Sequence, residues 1–158
     1  MAEDLIARVR ALEDREAIRH LIASYGPLAD RGDAEGVAGL WVEDGVYAVG
    51  GMGEARGRDA IAALIDGPVH RGLMAAGCAH LLGPVVIHLE GDRATAAGHS
   101  LVFRRVADEF EAYRVSANRW ALIHTDEGWR VLRRDNQLLD GAEAARVLLS
   151  PPPGPHPR

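Results

Sequence analysis

Tyr25 and Asp30 stand in the stretch IRHLIASYGPLAD, and His80, His99, Asn118 and Trp120 follow in a long region of alternating apolar residues. A phenol, a carboxylate and imidazoles are the groups of general acid–base catalysis, which moves protons to and from carbon or oxygen without a redox partner. Other chemistries are poorly served. The histidines show no HxH or HExxH spacing and no carboxylate at facial-triad distance from a His pair, so no metal site is expected. No Gly-x-Ser-x-Gly elbow is present to carry an acyl-transfer nucleophile. The single cysteine, Cys78, excludes an internal disulfide and any multi-cysteine metal centre, and reads as a small buried hydrophobe in a reducing compartment.

The elements that must position these residues begin with a helix over residues 4–31. Ile18, Leu21, Ile22, Tyr25, Leu28 and Ala29 share one apolar face of it, which turns Tyr25 toward the interior. Asp30 lies about 140° around an ideal helix from Tyr25, so the two converge only if the helix bends or ends, and Gly26-Pro27 supplies a cause. Read alone, Asp30 also suits a solvated turn in ADRGDAEG. Asp33 is expected to cap a short helix from Ala34 to Leu40, and Val46 to Val49 to form a short strand. The glycine-rich Gly50 to Gly57 lacks the lysine of a phosphate-binding loop and reads as a flexible connector. Asp59 then caps a helix that Gly67-Pro68 ends.

From Ala79 the period becomes two. His80 to Glu90, Ala94 to Val106, Tyr113 to His124 and Trp129 to Leu139 are long strands joined by short turns, an antiparallel meander. In alternation His80 shares a face with Cys78 and Leu82, His99 with Ala97, Leu101 and Phe103, and Asn118 and Trp120 with Leu122. Gly83-Pro84 marks a bulge or a sheet edge. Helices first and a curved antiparallel sheet afterwards predict an α+β fold, a cone whose helices cover the concave sheet face and leave a pocket at one end.

A length of 158 residues and 47% hydrophobic content suit one domain with a real core, here residues 1–150, followed by a Pro-rich mobile tail at 151–158. A formal charge of −5 without a basic stripe argues against nucleic acid as a partner. No apolar stretch suits a signal core or a membrane span, so a cytoplasmic protein with no membrane partner is expected. Val86, Val102 and Val115, expected on the outer sheet face, favour a homo-oligomer.

The helix–helix–strand–helix–four-strand order, with LEDREAIRHLIASY, the Asp30 of ADRGD, LWVEDGVY, GRDAIAALI, AAGCAHLLGP and GWRVLRRDNQLLDG, resembles the SnoaL-like domains of the nuclear transport factor 2-like (NTF2-like) superfamily from about Leu12 to Gly141. Within it the chain is most similar to the branch of scytalone dehydratase, bile-acid dehydratase and hexachlorocyclohexane dehydrochlorinase. That resemblance implies a cofactor-free lyase of the dehydratase type, which removes water from a small, largely apolar cyclic substrate. It implies a helix-borne Asp30 paired with His80, with Tyr25 beside them. It further implies substrate contacts from Tyr47, Asn118 and Trp120, and a second cavity histidine that falls on Arg105, with His99 nearby. In this reading His80 takes a proton alpha to a carbonyl, the Tyr25 and Tyr47 hydroxyls polarise the enolate oxygen, and His99 or Asn118 serves the leaving hydroxyl. The branch also implies a trimer in preference to a dimer. Since the superfold hosts many activities, an isomerase, a polyketide-type cyclase and a non-catalytic small-molecule-binding protein remain alternatives.

Overall fold

The structure is a computed structural model and describes residues 1–150; the expected Pro-rich tail at 151–158 lies outside the described residues. A long helix α1 (Ala2–Asp30) opens the chain, and a short helix α2 (Ala34–Ala38) follows it. The Asp33 carboxylate caps α2 by accepting from the Gly36 backbone N–H at 2.8 Å, as its position predicts. Next come strands β1 (Trp41–Val49) and β2 (Gly53–Arg56), helices α3 (Arg58–Asp66) and α4 (Pro68–Ala76), the long strands β3 (Cys78–Glu90), β4 (Arg93–Val106), β5 (Glu109–Thr125) and β6 (Gly128–Leu138), and a last helix α5 (Glu143–Leu149).

All strands form one sheet in the order β2-β1-β6-β5-β4-β3. The meander from β3 to β6 is antiparallel as expected, but β1 joins β6 in parallel, so the sheet is mixed. The Gly83-Pro84 signal has both of its expected meanings. The register of β3 slips between Leu82 and Val85, and β3 is an edge of the sheet.

Several local expectations are corrected. The glycine-rich connector contains β2, which pairs back on β1 as a hairpin whose turn uses the positive φ of Gly51 and Gly53. Asp59 lies inside α3, and Gly57 precedes that helix without a side-chain cap. Gly67-Pro68 ends α3 as expected, but Pro68 also begins a further helix that was not expected, because a proline at the first helical position lacks only an N–H that would be unpaired there. Val102 faces inward and is buried, while Val86 and Val115 are exposed. α5 covers part of the outer face, where Arg119 Nη2 donates to the Val147 carbonyl at 2.6 Å and the Ser150 carbonyl at 2.7 Å.

The core lies between α1, α3 and the inner sheet face. Ile18, Leu21, Ile22, Tyr25 and Ala29 of α1 meet Trp41, Ile61, Trp120, Leu122 and Val131 there. Leu5, Ile6, Val9 and Leu12 remain exposed, so only the second half of α1 is bound to the domain. Trp129 Nε1 ties the helix to the sheet just before its midpoint, donating to Asp14 Oδ1 at 2.9 Å.

Candidate active site

α1 runs unbroken through Gly26-Pro27 to Asp30, so Asp30 is reached without the break that the sequence suggested. What brings it to β3 is proximity. A Cβ on Gly26 would collide with the His80 carbonyl oxygen, so only glycine lets the last turns of α1 lie against that strand. One turn further on, the Asp30 carboxylate accepts the His80 backbone N–H at 2.9 Å through Oδ2 and 3.2 Å through Oδ1. The same Oδ1 lies 2.6 Å from His80 Nδ1.

A carboxylate can only accept, so Nδ1 carries the proton and Nε2 is the bare nitrogen. The His80 side chain is 12% exposed and lines a pocket. Burial holds its imidazole below the ordinary histidine range, with Asp30 pulling the other way and His70 and Arg134 adding to the lowering. A neutral ring with its orientation fixed by an acid is the resting form of a general base.

Cys78 Sγ donates to Asp30 Oδ1 at 3.7 Å. Burial, and then the Asp30 charge, push the Cys78 thiol up to about 11, so it stays protonated at neutral pH. Asp30, Cys78 and His80 are the one group of three metal-capable donors found among the described residues. Since the carboxylate and imidazole are spent on each other and the thiol keeps its proton, the trio reads as a hydrogen-bonded set and not as a metal centre.

The pocket has a cavity volume of about 110 Å³, several times what a single water needs. Leu64, Ile65, Val69 and Leu73 of α3 and α4 form its apolar roof, and Ser100, Ser116, Arg134 and Asn136 stand on its sheet floor. Tyr25 and Tyr47 also line it. Burial, and next the neighbouring Tyr47, drive the Tyr25 phenol strongly upward, so it remains a hydroxyl donor at any working pH.

Arg134 was missed by the sequence reading. Across the sheet it sits in register with Tyr47 on β1 and Trp120 on β5, all on one face. Its guanidinium carbon consequently lies 4.4 Å from the Tyr25 ring centroid, 4.6 Å from Tyr47 and 4.3 Å from Trp120. Arg134 is 2% exposed, and no carboxylate pairs with it among the described residues. Nε donates to Asn118 Oδ1 at 2.9 Å, while Nη1 is buried with no partner among the described residues. A buried cation without a counter-ion is costly to keep, and an oxygen that gains negative charge during a reaction would supply the missing partner. The only available signal was alternation along β6 together with the parallel register of β1, and the latter is invisible without the fold.

Other expected contacts do not reach the pocket. Trp120 is fully buried beneath Arg134, and Asn118 stands behind the floor, donating to Ser100 Oγ at 2.8 Å. His99 is exposed on the outer face because its alternation runs opposite to that of Ser100. Arg105 is exposed and bonds to Asp108 at 2.7 Å. Neither residue joins Asp30, His80, Tyr25 and Tyr47. His70, which sequence reasoning passed over because α4 was not expected, lies in the pocket wall with its ring centroid 5.2 Å from that of His80.

Among solved structures, an NTF2-like protein with a cystatin-like fold from Novosphingobium aromaticivorans is similar at 63% identity, with 94% of this chain and 96% of that one covered and a TM-score of 0.92. A Mycobacterium tuberculosis protein of unknown function follows at 26% identity, with 82% and 73% covered and a TM-score of 0.74. ActVI-ORFA from Streptomyces coelicolor, at 20% identity over 81% of this chain and 98% of its own and a TM-score of 0.70, shares the fold. No curated protein matches the chain. The family model described as "SnoaL-like domain" matches residues 10–135, and with the helix-on-mixed-sheet architecture this places the chain in the SnoaL-like family of NTF2-like folds.

Proposed function

We propose that this protein is a cofactor-free lyase that eliminates water from a small, largely apolar cyclic substrate. The observation that carries the reading is the Asp30–His80 pair, 2.6 Å apart, on a residue that lines the pocket. His80 Nε2 removes a proton from the carbon next to a carbonyl, while Asp30 fixes the tautomer and stabilises the imidazolium that forms. The electron pair passes to the carbonyl oxygen, where the Tyr25 hydroxyl and the Arg134 guanidinium receive the charge. Collapse of the enolate then expels the hydroxyl on the next carbon. The apolar roof suits a ring, and the step changes no oxidation state, so it calls for no redox cofactor.

The test uses a β-hydroxycyclohexanone, whose dehydration yields an enone followed by ultraviolet absorbance, and cyclohexanone in D2O, whose α-deuteration reports the base alone. His80→Asn and Asp30→Asn should each lower both rates by about 10²–10⁴-fold. Asparagine at position 30 still offers an oxygen to the His80 backbone N–H, so the fold should survive, as read by thermal unfolding. Deuteration that proceeds with no enone formed would favour an isomerase or cyclase, which returns the proton to the carbon skeleton. Wild-type protein that does neither would refute the base.

A further inference from the structure

The elimination proposed above needs a proton for the departing oxygen. The residues expected to supply it do not, since His99 is on the outer face and Asn118 is engaged behind the floor. His70 is placed to do so. It is 7% exposed, lies on α4, and forms part of the pocket wall. Its Nε2 stands 2.7 Å from the Ala29 carbonyl oxygen in the last turn of α1. A carbonyl only accepts, so Nε2 carries the hydrogen in every protonation state of the ring. The bare nitrogen of neutral His70 is therefore Nδ1, which has no hydrogen-bond partner among the described residues and is not among their buried unpartnered atoms.

The two imidazoles are thus held in opposite senses. His80 is pinned through Nδ1 and presents Nε2, whereas His70 is pinned through Nε2 and presents Nδ1. Their ring centroids are 5.2 Å apart and both rings line the same pocket, so the two open nitrogens can serve neighbouring atoms of one small substrate lying alongside the pair. Each ring can gain or lose a proton at its open nitrogen without giving up the bond that positions it.

We propose that His70 is the second proton-carrying residue of the site, and that its Nδ1–H protonates the leaving oxygen. This rests on the elimination reading above. The cycle starts with His80 neutral and His70 protonated. The C–H bond breaks and N–H forms at His80 Nε2. The electron pair passes through the enolate into the new C=C bond, the C–O bond breaks, and its oxygen takes the Nδ1 proton of His70 and leaves as water. His80 ends protonated and His70 neutral, and transfer of one proton from Nε2 of the first to Nδ1 of the second, directly or through water, restores the start.

His70→Gln keeps an amide N–H for the Ala29 carbonyl but has no proton to give. Three rates are compared in wild type and variant: water loss from β-hydroxycyclohexanone, acetate loss from β-acetoxycyclohexanone, and α-deuteration of cyclohexanone in D2O. Acetate leaves without a proton. The expected result is a loss of at least about 10²-fold on the hydroxyl substrate, with the acetoxy and deuteration rates within about tenfold of wild type. Equal losses on both leaving groups, or no loss on the hydroxyl, would overturn the assignment while leaving His80 as base. Wild type that deuterates but eliminates neither group would instead sink the elimination reading, and this proposal with it. Nitrogen-15 spectra of the histidines in wild type provide a measurement independent of turnover and of how the variant folds: neutral His70 should be the Nε2–H tautomer, and the Nδ1–H tautomer would refute the assignment.

Discussion

His80 links stability and activity through one proton. Because burial depresses its imidazole below the ordinary value of 6.5, the unfolded chain binds that proton first as pH falls. The stability gained from the neutral ring is complete above 6.5 and is lost as pH drops through the folded value. The activity per unit of substrate, kcat/KM, should show its acid limb below 6.5 for the same reason. Unfolding midpoints in urea measured across this range should decline toward acid in wild type and less steeply in His80→Asn, and an equal slope would refute the linkage. Arg134 gives the opposite kind of forecast. Since the buried guanidinium has no carboxylate partner among the described residues, Arg134→Met should leave stability unchanged or raise it by about 1–4 kcal/mol. Turnover should fall by roughly 10²-fold if that charge receives the enolate. Calorimetry and initial rates on one preparation decide it, and a destabilised variant with full activity would mark Arg134 as structural.

At the level of elements, the site depends on how closely α1 approaches β3. Alanine normally stabilises a helix interior over glycine by roughly 0.5–1 kcal/mol. At position 26 the sign should reverse, because the added methyl meets the His80 carbonyl. Gly26→Ala should cost about 1–3 kcal/mol in urea unfolding and lower turnover by shifting Asp30 away from His80. A stabilised variant would show that the helix can move at no cost. The same contact explains what could be read from the chain alone. The apolar face of α1 and the period-two strands are local patterns, so Tyr25 could be turned inward and His80 and Trp120 given an inner face before any fold was seen. The Asp30–His80 pairing came from family likeness, since no local rule joins residues so far apart. α4 was missed because Gly67-Pro68 reads as a stop, and α5 because a short helix gives little periodic signal. His99 was misplaced because alternation defines two faces without saying which one is covered, and Arg134 was passed over because arginines on a strand usually face water.

Across the whole molecule, α5 leaves part of the outer sheet face open, where Val86 is 68% and Val115 39% exposed. Apolar surface of this kind favours self-association, and we propose a homotrimer formed through that strip. Light scattering should return the mass of a trimer for wild type and of a smaller species for the double variant Val86→Glu, Val115→Glu; a monomeric wild type would refute the proposal. No helix among the described residues is long and apolar enough to cross a membrane.

The parallel seam between β1 and β6 has a kinetic consequence. It joins the earliest strand to the latest, and the aromatic cradle around Arg134 spans that seam. During synthesis, the nascent chain would already hold the Asp30 and His80 side chains long before the arginine emerges from the ribosome, so competence would arrive in one late event and not by degrees. Such distant pairing also slows folding relative to a helical bundle of equal size.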